Sequence, residues 1–585
     1  MRRALRAEAF GRRVAPTREA YRAVAERRGS DGLIEALISR HNQRWENIAS
    51  ALPVIADSAL EPLHLAFPID TSLYRLGVDF AAHPSNPAGG WVNQLFWGMD
   101  SASATVRMLM AGNVVGAAVI ARSQLERWSL NVEFNASTSQ GQSESKADYL
   151  ERIWRTAHPG CPSAGSAWTD LSEILHGRGP LIDLVRWDSQ ELSEPPVAGL
   201  LPRIQSILDA IRLSLRQIRM CIATLGTEAG WPAGFLRLTV EMPDALPMEI
   251  VLKKASAHLI PLTYGALALH GDAIERAGAP YERDVIALAS RNPYQKKSYS
   301  ARTADAWAWR RSRAVLWAKK AFAHEAELLG AEFNPASLET REWSYIMTAE
   351  TAGLLAKWSG GFVGDALSTA AASLRAALWL WLEDDPRAMS LARTVLEQTA
   401  RARTWRVKPA RAKQIEDRGS TVTTRDWLDA AGWRRLSVLN RSLSEFAHFT
   451  RDSRWRGAHQ ALEDLHHPFV SDENRYPTAT ARGDSLNLTA YLLGYELVQQ
   501  ARLEDDELAE AFSLYLPFGD EDASDESVEA WLQHAWSIKN RSFGEFPVTT
   551  AMVSVSGNTW SIFAKMAGIS IQTGTTASLS DSAFR

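Results

Sequence analysis

Arginine, glutamate and histidine occur in this chain in two short phrases, and each phrase is written twice. Ile120-Ala121-Arg122-Ser123-Gln124-Leu125-Glu126 returns as Leu391-Ala392-Arg393-Thr394-Val395-Leu396-Glu397. Leu171-Ser172-Glu173-Ile174-Leu175-His176 returns as Leu443-Ser444-Glu445-Phe446-Ala447-His448. Arg122 and Glu126 are spaced to share one helix face, as are Arg393 and Glu397, Glu173 and His176, and Glu445 and His448. Histidine moves protons near neutral pH, and arginine holds the charge of a phosphate. Acid–base work on an anionic substrate is the chemistry such a set permits. The phrases lie among apolar residues, so their charges point inward and must be paired. Each copy is expected to gather an Arg, two Glu and a His between two helices.

The first phrase recurs at an offset of 271 positions and the second at 272. Gly89-Gly90-Trp91-Val92 and Gly360-Gly361-Phe362-Val363 share the first offset, so the alignment runs without a gap from 89 to 126. The pattern is that of an internal duplication.

Six residues separate Arg441 from His448, with Arg393, Glu397 and Glu445 as companions. These motifs resemble the HEPN-like helical superfamily, over about 89–220 and 360–500. Many of its bacterial members carry Ala-Arg-Ser-x-x-Glu on one helix and Leu-Ser-x-x-x-His on a later one. The resemblance implies RNA cleavage without metal or cofactor. His448 would act on the 2′-hydroxyl, and Arg441 would steady the phosphate. Arg122, Glu126, Glu173 and His176 are the first-copy counterparts. Thr169 stands where the matching Arg would be, so the first copy departs from the pattern. The resemblance also implies pairing of two such domains, as a homo-oligomer or as a pseudo-dimer within one chain, and a role in stress or phage defence.

Two other readings use the same residues. Buried Arg/Glu/His networks fix helix register in non-catalytic scaffolds. Glu126, Glu173 with His176, Glu397, and Glu445 with His448 also match the ligand count of a di-iron bundle. Arg122 and Arg393 would compete for those carboxylates one turn away.

A basic and aromatic segment at 294–320 holds Lys296, Lys297, Arg310, Arg311 and Arg313 among Tyr294, Tyr299, Trp307, Trp309 and Trp317. It reads as a nucleic-acid surface or as an amphipathic helix. Arg403 and Arg406 belong to a second basic run, Arg401 to Lys413, beside Glu397. The 22 tryptophans read chiefly as fillers between helices.

These phrases need long helices to hold them. Helical spacing is expected over 101–135, with a weak point at Gly112-Asn113, and over 366–405, broken at Asp384-Asp385-Pro386. Arg203 to Leu225 and Asn487 to Leu503 should close the two bundles. A polar loop is expected at 136–146, and Arg401 to Lys413 is its basic equivalent. The fold class is mainly α: two homologous helical bundles with a small α+β linker and a short strand-forming C-terminal tail. The divisions are 1–88, helical repeat 89–228, linker 229–359 with a hairpin at 235–253, helical repeat 360–503, and an acidic segment and tail at 504–585. With 585 residues the chain exceeds one ordinary core. A net charge of -4 gives no bulk attraction to nucleic acid or membrane. Two cysteines form no metal spacing and no disulfide framework. The apolar run Met108 to Ala121 is too short to span a bilayer, so a cytoplasmic protein is expected.

Overall fold

A computed structural model describes residues 14–59, 113–136, 143–191, 197–228, 230–233, 338–382, 387–436 and 476–516, together with 95, 98, 101–102, 104–105, 108–109, 140–141, 439–440 and 443–444. Among the described residues the regular structure is helical, and no strand is present. The expected hairpin at 235–253, the strand-forming tail and the basic segment 294–320 lie outside them.

The helices are α1 (Arg18–Ala59), α2 (Val114–Ala136), α3 (Lys146–Ala157), α4 (Ala164–Glu173), α5 (Ile182–Arg186) and α6 (Val197–Glu228). There follow α7 (Leu338–Ser359), α8 (Gly361–Leu382), α9 (Ala388–Val407), α10 (Pro409–Glu416), α11 (Thr424–Ala431), α12 (Tyr476–Glu504) and α13 (Asp506–Ser513). A short 3-10 turn, Ile174–His176, continues α4, and a π turn, Trp187–Glu191, follows α5.

The sequence of α8 explains its place. From Gly364 to Trp381 it is almost entirely Ala, Leu, Ser, Thr and Trp, and every one of these residues is buried. A helix without a polar face must be enclosed on all sides. Helices α7 and α9 flank it, α2 crosses it, and α11 and α12 cover α9. Small residues set the approach: a Cβ on Gly116 of α2 would stand 2.9 Å from Ala376 Cβ of α8. Trp128, Trp154, Trp379, Trp427 and Trp433 are fully buried between helices, which is the filler role expected of them.

The two helices expected over 366–405 are α8 and α9; the turn expected between them at 384–386 lies outside the described residues. The expected closing helices are α6 and α12, each longer than its apolar pattern alone suggested. Arg401 to Lys413 is helical throughout apart from Lys408, because α9 runs to Val407 and Pro409 restarts the chain as α10. The polar segment 136–146 does break the helix, and Ser145 caps α3 after it. At the other end, Glu504 and Asp505 pair with Arg18 (2.8 Å) and Arg22 (3.2 Å) of α1. Asp505 also caps α13.

Candidate active site

His176 ends the 3-10 turn that follows α4. Gly177 stops the turn in the left-handed conformation (φ 66), and its amide bonds back to Ile174 O. A side chain there would meet Arg401 Nη1 at 2.8 Å, so glycine lets the turn sit down on α9. The turn packs against α2, α8 and α9 together. Arg401 Nη1 donates to His176 O (3.3 Å) and Gln398 Nε2 to Leu175 O (3.4 Å), which ties two of the turn's carbonyls to α9.

The imidazole of His176 meets Glu397 of α9, with Nδ1 2.6 Å from Oε1. The carboxylate is 4% exposed and the imidazole 33%. Glu397 is held from its other side by Thr424, whose hydroxyl donates to Oε2. Thr424 in turn accepts from Arg393 Nη2 at 3.0 Å, and Arg393 Nε donates to Asn440 Oδ1 at 3.2 Å. A capping box between Thr423 and Asp426 fixes the first turn of α11 and so places Thr424. Burial pushes the Glu397 carboxyl pKa up. His176, Arg393 and the Thr424 hydroxyl reverse that and hold it down to about 2. Glu397 is therefore an anion that accepts the Nδ1–H of His176. That leaves Nε2, on the partly exposed ring, as the nitrogen free to take or give a proton.

The first phrase lies next to this set. Arg122 Nη2 pairs with Glu126 Oε1 at 3.1 Å, and Trp168 Nε1 donates to the same oxygen at 3.2 Å. The Trp168 ring lies under the Arg122 guanidinium, 5.7 Å away. Burial lowers the Arg393 pKa; Glu397 opposes this, and the nearby charge of Arg122 adds to it. The two phrases thus face one another through α2 and α9.

The grouping differs from the expected one. His176 is joined to Glu397 of the second phrase, not to Glu126 of the first. Glu126 is already taken by Arg122 and Trp168, and the His176 turn is inserted against α9. Glu173 turns away from the dyad, its carboxylate lying against Gly179. Arg403 donates to Ala431 O (3.0 Å), and Arg406 holds Glu496 with Nε and Nη2, both at 2.8 Å. Those two charges, expected at phosphates, are engaged within the helical body. Arg441, Glu445, His448, Lys296, Lys297, Arg310, Arg311 and Arg313 lie outside the described residues. Among the described residues no group of three or more His, Cys, Asp or Glu is arranged to hold a metal ion.

A second ionic cluster was not singled out from the sequence. Arg40, His41 and Arg44 of α1 meet Glu350 of α7, Arg375 of α8 and Asp188 of the π turn. All six are buried. Arg375 reaches Asp188 at 2.5 Å, and Arg40 bonds the Ser189 carbonyl. Burial lowers the Arg40 pKa to about 10 and that of Arg44 well below its ordinary value. A lone charge within an apolar helix was the available signal: Arg375 lies in Ala-Ala-Ala-Ser-Leu-Arg-Ala-Ala-Leu, and Glu350 is flanked by Thr-Ala and Thr-Ala-Gly.

No protein-family model, curated protein or solved structure matches this chain. None of the described helices is long and apolar enough to cross a membrane.

Proposed function

We propose that this chain is a tandem HEPN-like protein that cleaves RNA without a metal ion, with His176 and Glu397 as its proton-transfer pair. The observation that carries the reading is the 2.6 Å contact between His176 Nδ1 and the buried Glu397 carboxylate. A histidine fixed in one tautomer by a buried carboxylate, on a partly exposed ring, has the geometry of a general base.

In this reading Nε2 takes the proton of a ribose 2′-hydroxyl. The 2′-oxygen attacks the adjacent phosphorus, and the bond to the 5′-oxygen breaks. The 5′-oxygen takes a proton from water, and the imidazolium returns its own. The products are a 2′,3′-cyclic phosphate and a 5′-hydroxyl. Arg178, two residues beyond His176 and about a quarter exposed, is the nearest basic side chain in sequence; it is held by Glu416 (3.4 Å) and the Gly419 carbonyl and would have to exchange these for the phosphate.

Duplication supports the pairing of two halves within one chain. Trp168 and Asn440 are equivalent at the offset of the second phrase, and each touches the Arg of its own phrase. Arg387, at the start of α9, reaches back to Ser101, while Gly116 of α2 lies on Ala376 of α8. These contacts support the reading of two paired halves within one chain. On this reading Arg441, Glu445 and His448 form the counterpart set, and a role in stress or phage defence follows from the family resemblance.

The purified full chain, incubated with labelled RNA in EDTA, should cleave it. His176→Ala should abolish cleavage, and His448→Ala should reveal whether the counterpart set works as well. A second reading has an observation in its favour: the Arg40/Arg44/Glu350/Arg375/Asp188 cluster is a wholly buried ion network with no exposed group. A non-catalytic scaffold would have such networks throughout. Absence of cleavage by wild type across a broad RNA panel selects that reading.

A further inference from the structure

Phe362 is 49% exposed and is the aromatic one of the five large apolar side chains exposed among the described residues, with Met220, Val407, Leu503 and Leu514. It lies at the start of α8, directly after Gly360 (φ 62) and Gly361 (φ 51). Its ring lies nearly parallel to that of Trp405, with centroids 5.3 Å apart and planes at 11°. Trp405 is partly buried and is tied by its Nε1 to Glu416 (3.4 Å). Phe362 is thus stacked on an indole that is itself held in place, while about half of the residue stays exposed.

This flat ring adjoins the His176 turn. Arg401 lies 5.8 Å from the Phe362 ring centroid, and its Nη1 donates to His176 O at 3.3 Å. The guanidinium is held in place by Glu416, 2.5 Å from its Nε. Lys408, Arg411 and Lys413 are exposed on the turn and helix that follow Trp405. A half-exposed aromatic ring stacked on an indole, with exposed basic residues on the turn and helix that follow that indole, suits a nucleobase on a charged backbone.

We propose that Phe362, backed by Trp405, is a stacking platform for an unpaired base of single-stranded RNA, next to the phosphate acted on at His176. The inference rests on the RNA-cleaving reading above and specifies its substrate as unpaired rather than double-stranded. Bases in a duplex are already stacked and do not offer a face. Stacking is tolerant of sequence, so the platform selects strandedness more than base identity.

The test uses the full chain carrying His176→Ala, so that bound RNA stays intact, with a fluorescent single-stranded oligonucleotide and its duplex. The single strand should bind more tightly than the duplex. Adding Phe362→Ala should weaken single-strand binding about 10-fold, and Phe362→Trp should restore it. The salt dependence of binding should not change with Phe362→Ala, since stacking releases no counterions. Phe362 is a surface residue, so an unaltered melting curve for Phe362→Ala separates lost stacking from lost fold. Equal affinity of the Phe362→Ala and parent proteins, with cleavage intact in the wild type, overturns the platform and leaves the RNA reading standing. Wild type that neither binds nor cuts any RNA overturns both. Binding of a proline-rich or aromatic peptide that depends on Phe362, with no RNA binding, also overturns the proposal.

Discussion

His176 and Glu397 are 221 positions apart in the chain and 2.6 Å apart in space. The contact joins the second phrase at its first occurrence to the first phrase at its second. It depends on the turn after α4 docking on α9. Thr424 and Arg393 then act through Glu397: they hold the carboxylate that holds the imidazole.

Glu397→Gln should therefore damage proton transfer more than binding. An amide keeps the shape but loses the charge that fixes the Nδ1–H tautomer. On the proposed RNA reaction, kcat should fall between about 10²- and 10⁴-fold with KM little changed. Thr424→Val should act in the same direction and less, by about 10-fold. Single-turnover rates measured well below the melting temperature decide it. A lowered melting temperature with an unchanged rate would make the pair structural.

The same carboxylate should shape the acid limb of stability. Glu397 is held at about 2, below the ordinary carboxyl value of 4.5. A group whose folded pKa is lowered stabilises the fold above the unfolded value and loses that contribution as pH falls through the folded one. The contribution here is on the order of 3 kcal/mol, complete above about pH 4.5 and fading toward pH 2. Urea midpoints from about pH 6 down to about pH 3 should drop more steeply for wild type than for Glu397→Gln. Parallel curves would show that Glu397 is not the titrating group.

Periodicity made the helices legible. The apolar pattern of 366–405 corresponds to α8 and α9, and the inward charges of Arg122, Glu126 and Glu397 followed from their apolar neighbours. Partnership was not legible in the same way. Spacing says that Glu126 and Arg122 share a helix face, but not that His176 crosses to α9. Thr424 and Asn440 carried no signal, since a hydroxyl at a helix start usually caps its own helix. Here Thr423 does the capping, and Thr424 is free to reach Glu397. Arg403 and Arg406 looked like a basic surface because their partner, Glu496, lies on a helix 90 positions later.

The buried cluster at α1, α7 and α8 should govern stability rather than catalysis. Glu350 is the carboxylate touched by Arg40, His41 and Arg44 together. Glu350→Ala leaves three buried guanidinium groups, those of Arg40, Arg44 and Arg375, facing Asp188 as the one carboxylate remaining in the cluster. Breaking a buried ion network from one side costs about 3–5 kcal/mol. Denaturant unfolding should show a loss of that size, with cleavage by the remaining folded protein unchanged. A loss under about 1 kcal/mol would mean that the cluster is solvated or rearranges.

Gly177 should matter for both fold and site, and a second glycine supplies the control. Gly177 and Gly160 both have left-handed backbones, with φ 66 and φ 74. A Cβ on Gly160 meets nothing within 4 Å, whereas one on Gly177 lies 2.8 Å from Arg401 Nη1 and 3.1 Å from Thr369 Oγ1. Gly160→Ala should therefore cost only backbone strain, about 1 kcal/mol, with cleavage unaffected. Gly177→Ala carries the same strain and also lifts the His176 turn from α9. Its stability should fall further, by roughly another 1–2 kcal/mol, and its cleavage rate about 10-fold or more as Nδ1 moves away from Glu397. Unfolding and single-turnover assays on the two variants side by side isolate the contact from the strain. Identical behaviour of Gly160→Ala and Gly177→Ala would show that the seat of the turn on Arg401 does not position His176.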